Sequence, residues 1–230
     1  MNFKLKILFV LFLFLFGAVE ARSQSTYRAG LLPKLNIGKK FTNLYALNFK
    51  TESRLAFSQG RFEDNPPFKA DYLLTDVSLI LSRKVGLNNK IAGGYLARFR
   101  DGKVIHRSIQ QFTLVSRFST FRLGHRFASD QSFTSGEKPE IRLRYRIASD
   151  FPLNGESLDP KEFYLKVSNE YLNSFSGSSY DLEIRFSPLV GYYFSDVNKF
   201  EFGLDYRISS FIEDPARHSF WLGINWYLKI

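Results

Sequence analysis

Alternation with a period of two runs through most of this chain and restricts it to a β architecture. Tyr45, Leu47, Phe49, Thr51, Ser53, Leu55 and Phe57 interleave with Ala46, Asn48, Lys50, Glu52, Arg54 and Ala56. Ile141, Leu143, Tyr145 and Ile147 interleave with Glu140, Arg142, Arg144 and Arg146. Phe200, Phe202, Leu204, Tyr206 and Ile208 do the same with Glu201, Gly203, Asp205, Arg207 and Ser209. Successive side chains of a strand point to opposite faces, so each run carries one apolar and one polar face. Strand-like runs fall near 26–37, 44–57, 70–85, 91–100, 105–116, 120–127, 139–149, 163–175, 180–194, 199–210 and 218–230. Turn chemistry separates them, as in Gly86-Leu87-Asn88-Asn89-Lys90 and Ser195-Asp196-Val197-Asn198. No helical period interrupts this part of the chain. The irregular stretch from Pro152 to Lys161 reads as a loop, because strands of the same type continue on both sides.

The first residues are of another kind. Lys4 and Lys6 precede an apolar run from Ile7 to Phe16, followed by Gly17 and Ala18 and then by Ala21, Arg22 and Ser23, with small residues two apart. That is the pattern of a secretory signal peptide, expected over residues 1–23 with cleavage after Ser23, or after Ala21. The run is about half of the roughly 20 residues that a membrane-spanning helix needs, which argues against a permanent anchor. Residues 24–230 are then expected to form a single β-barrel domain. With no cysteine in the chain, disulfides, thiol catalysis and Cys-ligated metal centres are excluded. The 25 Phe and 12 Tyr suit strands and exclude a disordered chain.

Periodicity does not say which face meets solvent. A soluble barrel points its apolar side chains inward, whereas an outer-membrane barrel turns them to lipid and keeps a polar interior. Three features favour the membrane. The runs approach the roughly 9–11 residues that cross a bilayer at a tilt. Charges form rows on the polar faces, as at Arg142, Arg144 and Arg146. Aromatics gather at run ends, as at Tyr192, Tyr193 and Phe194, where interfacial girdles would lie.

Several segments also resemble a known family. His125-Arg126-Phe127, Arg142-Leu143-Arg144-Tyr145-Arg146-Ile147, Asn169-Glu170-Tyr171, Glu183-Ile184-Arg185 and the stretch Arg107 to Gln111 are similar to the pattern of domain of unknown function 2490. The resemblance implies an outer-membrane β-barrel of Gram-negative bacteria with no assigned activity, and it brings no catalytic or ligand residues.

The fold expected is therefore all-β: an up-and-down antiparallel transmembrane barrel of 10–12 strands. Both chain ends of such a barrel should lie in the periplasm, which requires an even count. Eleven runs are visible, and the run at 26–37 lacks a partner in that scheme. Twelve strands are preferred, because this run alternates as well as the others.

An apolar outer face would send Arg98, Arg107, Arg122, Arg126, Arg142, Arg144, Arg146, Arg185 and Arg207 inward with Glu170, Glu183, Glu201 and Asp205. Basic residues outnumber acidic ones there, as the net charge of +10 leads one to expect, so the interior should be electropositive. Interlocked ion pairs could plug the barrel, or a watery path could survive and favour anions. A barrel of this size is barely wider than one filled by side chains, which favours the plug. Arg142, Arg144 and Arg146 then need carboxylates, and Glu140 and Glu170 are the nearest in sequence.

Catalytic signals are sparse. His106 and Ser108 lie two apart on one run and so share a face. This resembles the His-x-Ser pair that outer-membrane phospholipases and lipid A deacylases place on a strand, where a base activates a hydroxyl nucleophile. The residues that follow are Ile109 and Gln110, not the Asn-Gly usual in those enzymes, so an interfacial pair is the preferred reading. The three histidines show no metal-ligand spacing, and no glycine-rich phosphate loop is present, so neither metal nor cofactor is expected. The expected partners are outer-membrane lipid, lipopolysaccharide and the barrel-assembly machinery. Nucleic acid is not among them, and a monomer is expected. A lipid hydrolase and a soluble lipocalin-like barrel for an apolar ligand are the competing readings.

Overall fold

The computed structural model describes residues 25–118, 121–136, 138–155, 157–212 and 214–230. The leader expected over residues 1–23 lies outside them. Eleven strands follow in order: β1 (Thr26–Lys40), β2 (Tyr45–Arg61), β3 (Asp71–Lys84), β4 (Asn89–Arg100), β5 (Lys103–Arg117), β6 (Arg122–Phe133), β7 (Glu140–Pro152), β8 (Glu162–Ser176), β9 (Ser179–Ser195), β10 (Asn198–Ser209) and β11 (Arg217–Lys229). Among the described residues there is no helix. Each alternating run in the sequence corresponds to one of these strands.

The strands close into an up-and-down barrel in which consecutive strands pair antiparallel. Closure is made by β1 against β11, and that pair is parallel, from Thr26 beside Arg217 to Gly38 beside Lys229. The expectation of twelve strands is thus corrected to eleven. The even count followed from placing both chain ends on one side. A parallel seam removes that requirement, because Thr26 starts at one rim and Lys229 ends at the other. The run at 26–37 has two partners, β2 and β11.

The Thr26 rim carries the connections β2–β3, β4–β5, β6–β7, β8–β9 and β10–β11; the Lys229 rim carries the others. Local chemistry sets the two-residue hairpin between β4 and β5. Arg100 pairs with Lys103, and Asp101 and Gly102 between them have φ of 50° and 71°. Positive φ at both central residues is the type I′ turn, whose twist matches the flanking strands and which favours Asp-Gly.

Several strands run past their sequence boundaries, β6 the furthest. The run predicts an end near residue 127, yet β6 continues to Phe133, paired with β5 along its whole length and with β7 as far as Ser132. Ala128, Asp130 and Ser132 continue the inward phase of Arg126, although little apolar alternation marks the segment.

Candidate functional site

The two faces of the wall differ in chemistry. Phe49, Tyr95, Phe112, Phe127, Leu143, Phe202, Leu222 and Trp226 are large apolar side chains left exposed. Glu52, Asp76, Arg107, Asp130, Arg142, Glu170, Glu201, Asp205 and Arg207 are buried. Alternation puts the first set outside and the second inside. This inverts the arrangement of a soluble protein, in which buried charge is rare and apolar side chains are covered.

Ion pairs link neighbouring strands into a belt near the Thr26 rim. Arg98 grips Asp76 with two nitrogens, at 2.7 and 2.8 Å. Arg142 and Arg144 each donate to Asp130 at 2.9 Å. Asp130 is wholly buried, at 0% exposure. Arg107 donates to the Ser132 hydroxyl at 2.8 Å. Arg185 joins Glu183 on its own strand and lies 3.0 Å from Glu170. Arg207 donates to Asp205 at 2.6 Å, and Lys34 reaches the same carboxylate at 3.2 Å. Glu52 gathers Lys50, Arg54 and Lys34. Nε of Arg54, Arg142 and Arg144 and Nη1 of Arg207 are buried without a hydrogen-bond partner, as are the Oδ1 acceptors of Asn89, Asn169 and Asn225.

On the other side of this belt lies a cavity of about 1130 Å³. Its wall includes Lys39, Lys40, Asp196 and Lys229 at the Lys229 rim, and its floor is Glu52, Glu170, Arg185, Asp205 and Arg207. Asp76, Arg98, Arg107, Asp130 and Arg142 do not line it; they lie beyond the floor, within a few residues of strand ends at the Thr26 rim. Twelve Lys and Arg side chains line the cavity against five Asp and Glu side chains.

A second cluster closes on Glu201, above the floor. Its carboxylate accepts from Lys166 at 2.7 Å, Tyr164 at 2.9 Å, Tyr227 at 3.0 Å and Asn225 at 3.3 Å. The Tyr164 ring fills space left by Gly191, where an added Cβ would come within 2.2 Å of it.

The residues expected inside are thus in the inward phase, with differences in what they meet. Arg122 is exposed at the Lys229 rim and does not join the belt. Arg126 reaches Glu170 at 2.8 Å, whereas Arg146 has the Ser168 hydroxyl at 3.2 Å. Glu140 stands 3.9 Å from Arg142 and is a minor partner. The main one is Asp130, which lies past the end of the alternating run at 120–127; the parity of Arg126, Ala128, Asp130 and Ser132 is the signal that marks it.

His106 and Ser108 share the outer face but serve different partners. His106 Nδ1 engages the Tyr95 hydroxyl, and Ser108 donates to the Gln131 side chain. Gln131 and Gln110 in turn exchange two hydrogen bonds. The imidazole is not hydrogen-bonded to the serine, so the base–nucleophile contact is not formed. Among the described residues no group of His, Asp and Glu has a metal-binding arrangement.

Fold and interior define a class: a closed β-barrel with an apolar outer wall and a charged lumen. The chain belongs to the family described as protein of unknown function DUF2490, whose model matches residues 32–224. Neither the curated proteins nor the solved structures give a match.

Proposed function

We propose that the chain is an outer-membrane β-barrel of Gram-negative bacteria whose electropositive lumen is a blind vestibule rather than a through pore. The observation that carries this reading is the inverted wall: exposed Phe202, Leu204 and Leu222 outside, and buried Glu201, Asp205 and Arg207 on the alternate positions of the same hairpin. Lipid would cover the first set, and the second would need a polar interior. Strand lengths of 12–17 residues exceed the roughly 9–11 required to cross a bilayer.

Export by the leader at residues 1–23 delivers the chain to the barrel-assembly machinery, and the mature barrel stands as a monomer among lipid and lipopolysaccharide. With Lys229 toward the periplasm, the vestibule opens there and the charged belt faces outward. Small anionic solutes are the guests that this lining favours.

A soluble lipocalin-like barrel is disfavoured by its lining, because an apolar ligand would meet arginines and carboxylates. A hydrolase at Ser108 is disfavoured by the separate partners of His106 and Ser108. Cell fractionation with planar-bilayer recording tests the proposal. The protein should fractionate with outer membranes, change gel mobility on heating, and insert without steady conductance. Recovery in the soluble periplasmic fraction, or stable ohmic pores, would overturn it.

A further inference from the structure

Arg126 and Arg146 are direct partners across β6 and β7, and both line the cavity. Like charges directly opposite one another are destabilising unless a countercharge serves both. Glu170 faces Arg146 from β8 but does not serve it. That carboxylate accepts from Arg126 at 2.8 Å and Arg185 at 3.0 Å, and lies 3.8 Å from Arg144. Three arginines therefore share one carboxylate, while Arg146 is left with a neutral hydroxyl, Ser168, at 3.2 Å. The neighbouring Glu201 is occupied by Lys166 and two tyrosines. Arg144 adds a buried Nε without an acceptor. The local deficit is of negative charge, at a place that faces open space.

We propose that Arg126, Arg146 and Ser168 form an oxyanion site for a phosphate ester entering through the Lys229 rim. Guanidinium groups offer forked donors that match phosphate oxygens, and two adjacent ones suit a dianion. The Ser168 hydroxyl accepts from Arg146 and can turn its own proton to the ligand. Lys39, Lys40 and Lys229 at the rim would draw an anion inward. The cavity is much larger than a bare phosphate and slightly exceeds the usual range of small-molecule pockets, about 300–1,000 Å³, so an organic body can accompany the charged group.

This assignment rests on the vestibule reading but not on cellular location, so it is tested on protein folded in a zwitterionic detergent. Calorimetric titration at low ionic strength uses inorganic phosphate, glycerol 3-phosphate and dihexanoyl phosphatidic acid. Each should bind the wild-type protein, and Arg146→Gln should weaken all three by about tenfold or more. Arg146→Lys, which keeps the charge and loses the fork, should fall between. Ser168→Ala provides a second variant if Arg146→Gln does not fold, with an expected loss of about threefold to tenfold. Tighter binding of glycerol 3-phosphate identifies a free solute, and tighter binding of the phosphatidic acid identifies a lipid headgroup. Absence of binding to wild type, or equal binding by Arg146→Gln or by a folded Ser168→Ala, would overturn the site whatever the protein's location.

Discussion

Asp130 accepts a hydrogen bond from Arg144 at 2.9 Å, and a second arginine, Arg142, takes its other oxygen at the same distance. One fully buried carboxylate thus holds two guanidiniums that lie two residues apart on β7. Removing it leaves two buried cations short of a partner. Asp130→Asn should therefore lower stability by roughly 3–5 kcal/mol, the usual cost of breaking a buried pair. Glu140→Ala, at a half-exposed site 3.9 Å from Arg142, should cost about 0–1 kcal/mol. Urea unfolding in detergent, followed by tryptophan fluorescence, compares the two.

The parallel seam gives a second test. Leu31 on β1 and Leu222 on β11 are register partners with outward side chains. Cysteines at both positions should form a disulfide under mild oxidation and shift mobility on a denaturing gel. A barrel completed by a twelfth strand would separate β1 from β11, and no crosslink would form.

The strands themselves were legible in sequence, because one apolar and one polar residue per step repeats from β1 to β11. Their closure was not. Alternation specifies faces and carries no record of which edges meet, so the parallel contact of Thr26 with Arg217 has no local signature. The charged interior was legible as rows of arginine, whereas the assignment of partners was not. Arg142 reaches across to β6 for Asp130 instead of along its own strand to Glu140, and the apolar positions of β6 fade into Ser129 and Gln131 just there. Arg122 shows the opposite limit: correct parity cannot bury a side chain that lies at a rim.

Packing inside the barrel depends on a missing side chain. Gly191 makes room for the Tyr164 ring, whose hydroxyl donates to Glu201 at 2.9 Å. Gly191→Ala should displace the ring, weaken that contact and cost about 1–3 kcal/mol, as overpacking does. Tyr164→Phe keeps the ring and removes only the hydroxyl, so it should cost about 0.5–1.5 kcal/mol. Heat-induced gel mobility orders the two variants.

The outer wall should be intolerant of charge only if lipid covers it. Phe202→Arg places a cation midway along β10 among exposed apolar side chains. In a bilayer the expected cost is about 2–4 kcal/mol. Folding into phospholipid vesicles at graded urea measures it, and in a water-covered barrel the same change would be close to neutral.

Site-directed labelling in cells tests the central claim most directly. Single cysteines at Phe202 and Leu222 report the outer wall, and one at Lys40 reports the mouth of the vestibule. The account expects the two wall positions to resist a charged maleimide and to react with a lipid-soluble one. Lys40→Cys should react with the charged reagent only once the outer membrane has been permeabilised. Wall cysteines that label freely with the charged reagent, or a Lys40→Cys that labels in intact cells, would contradict an apolar wall set in lipid around a vestibule open to the periplasm.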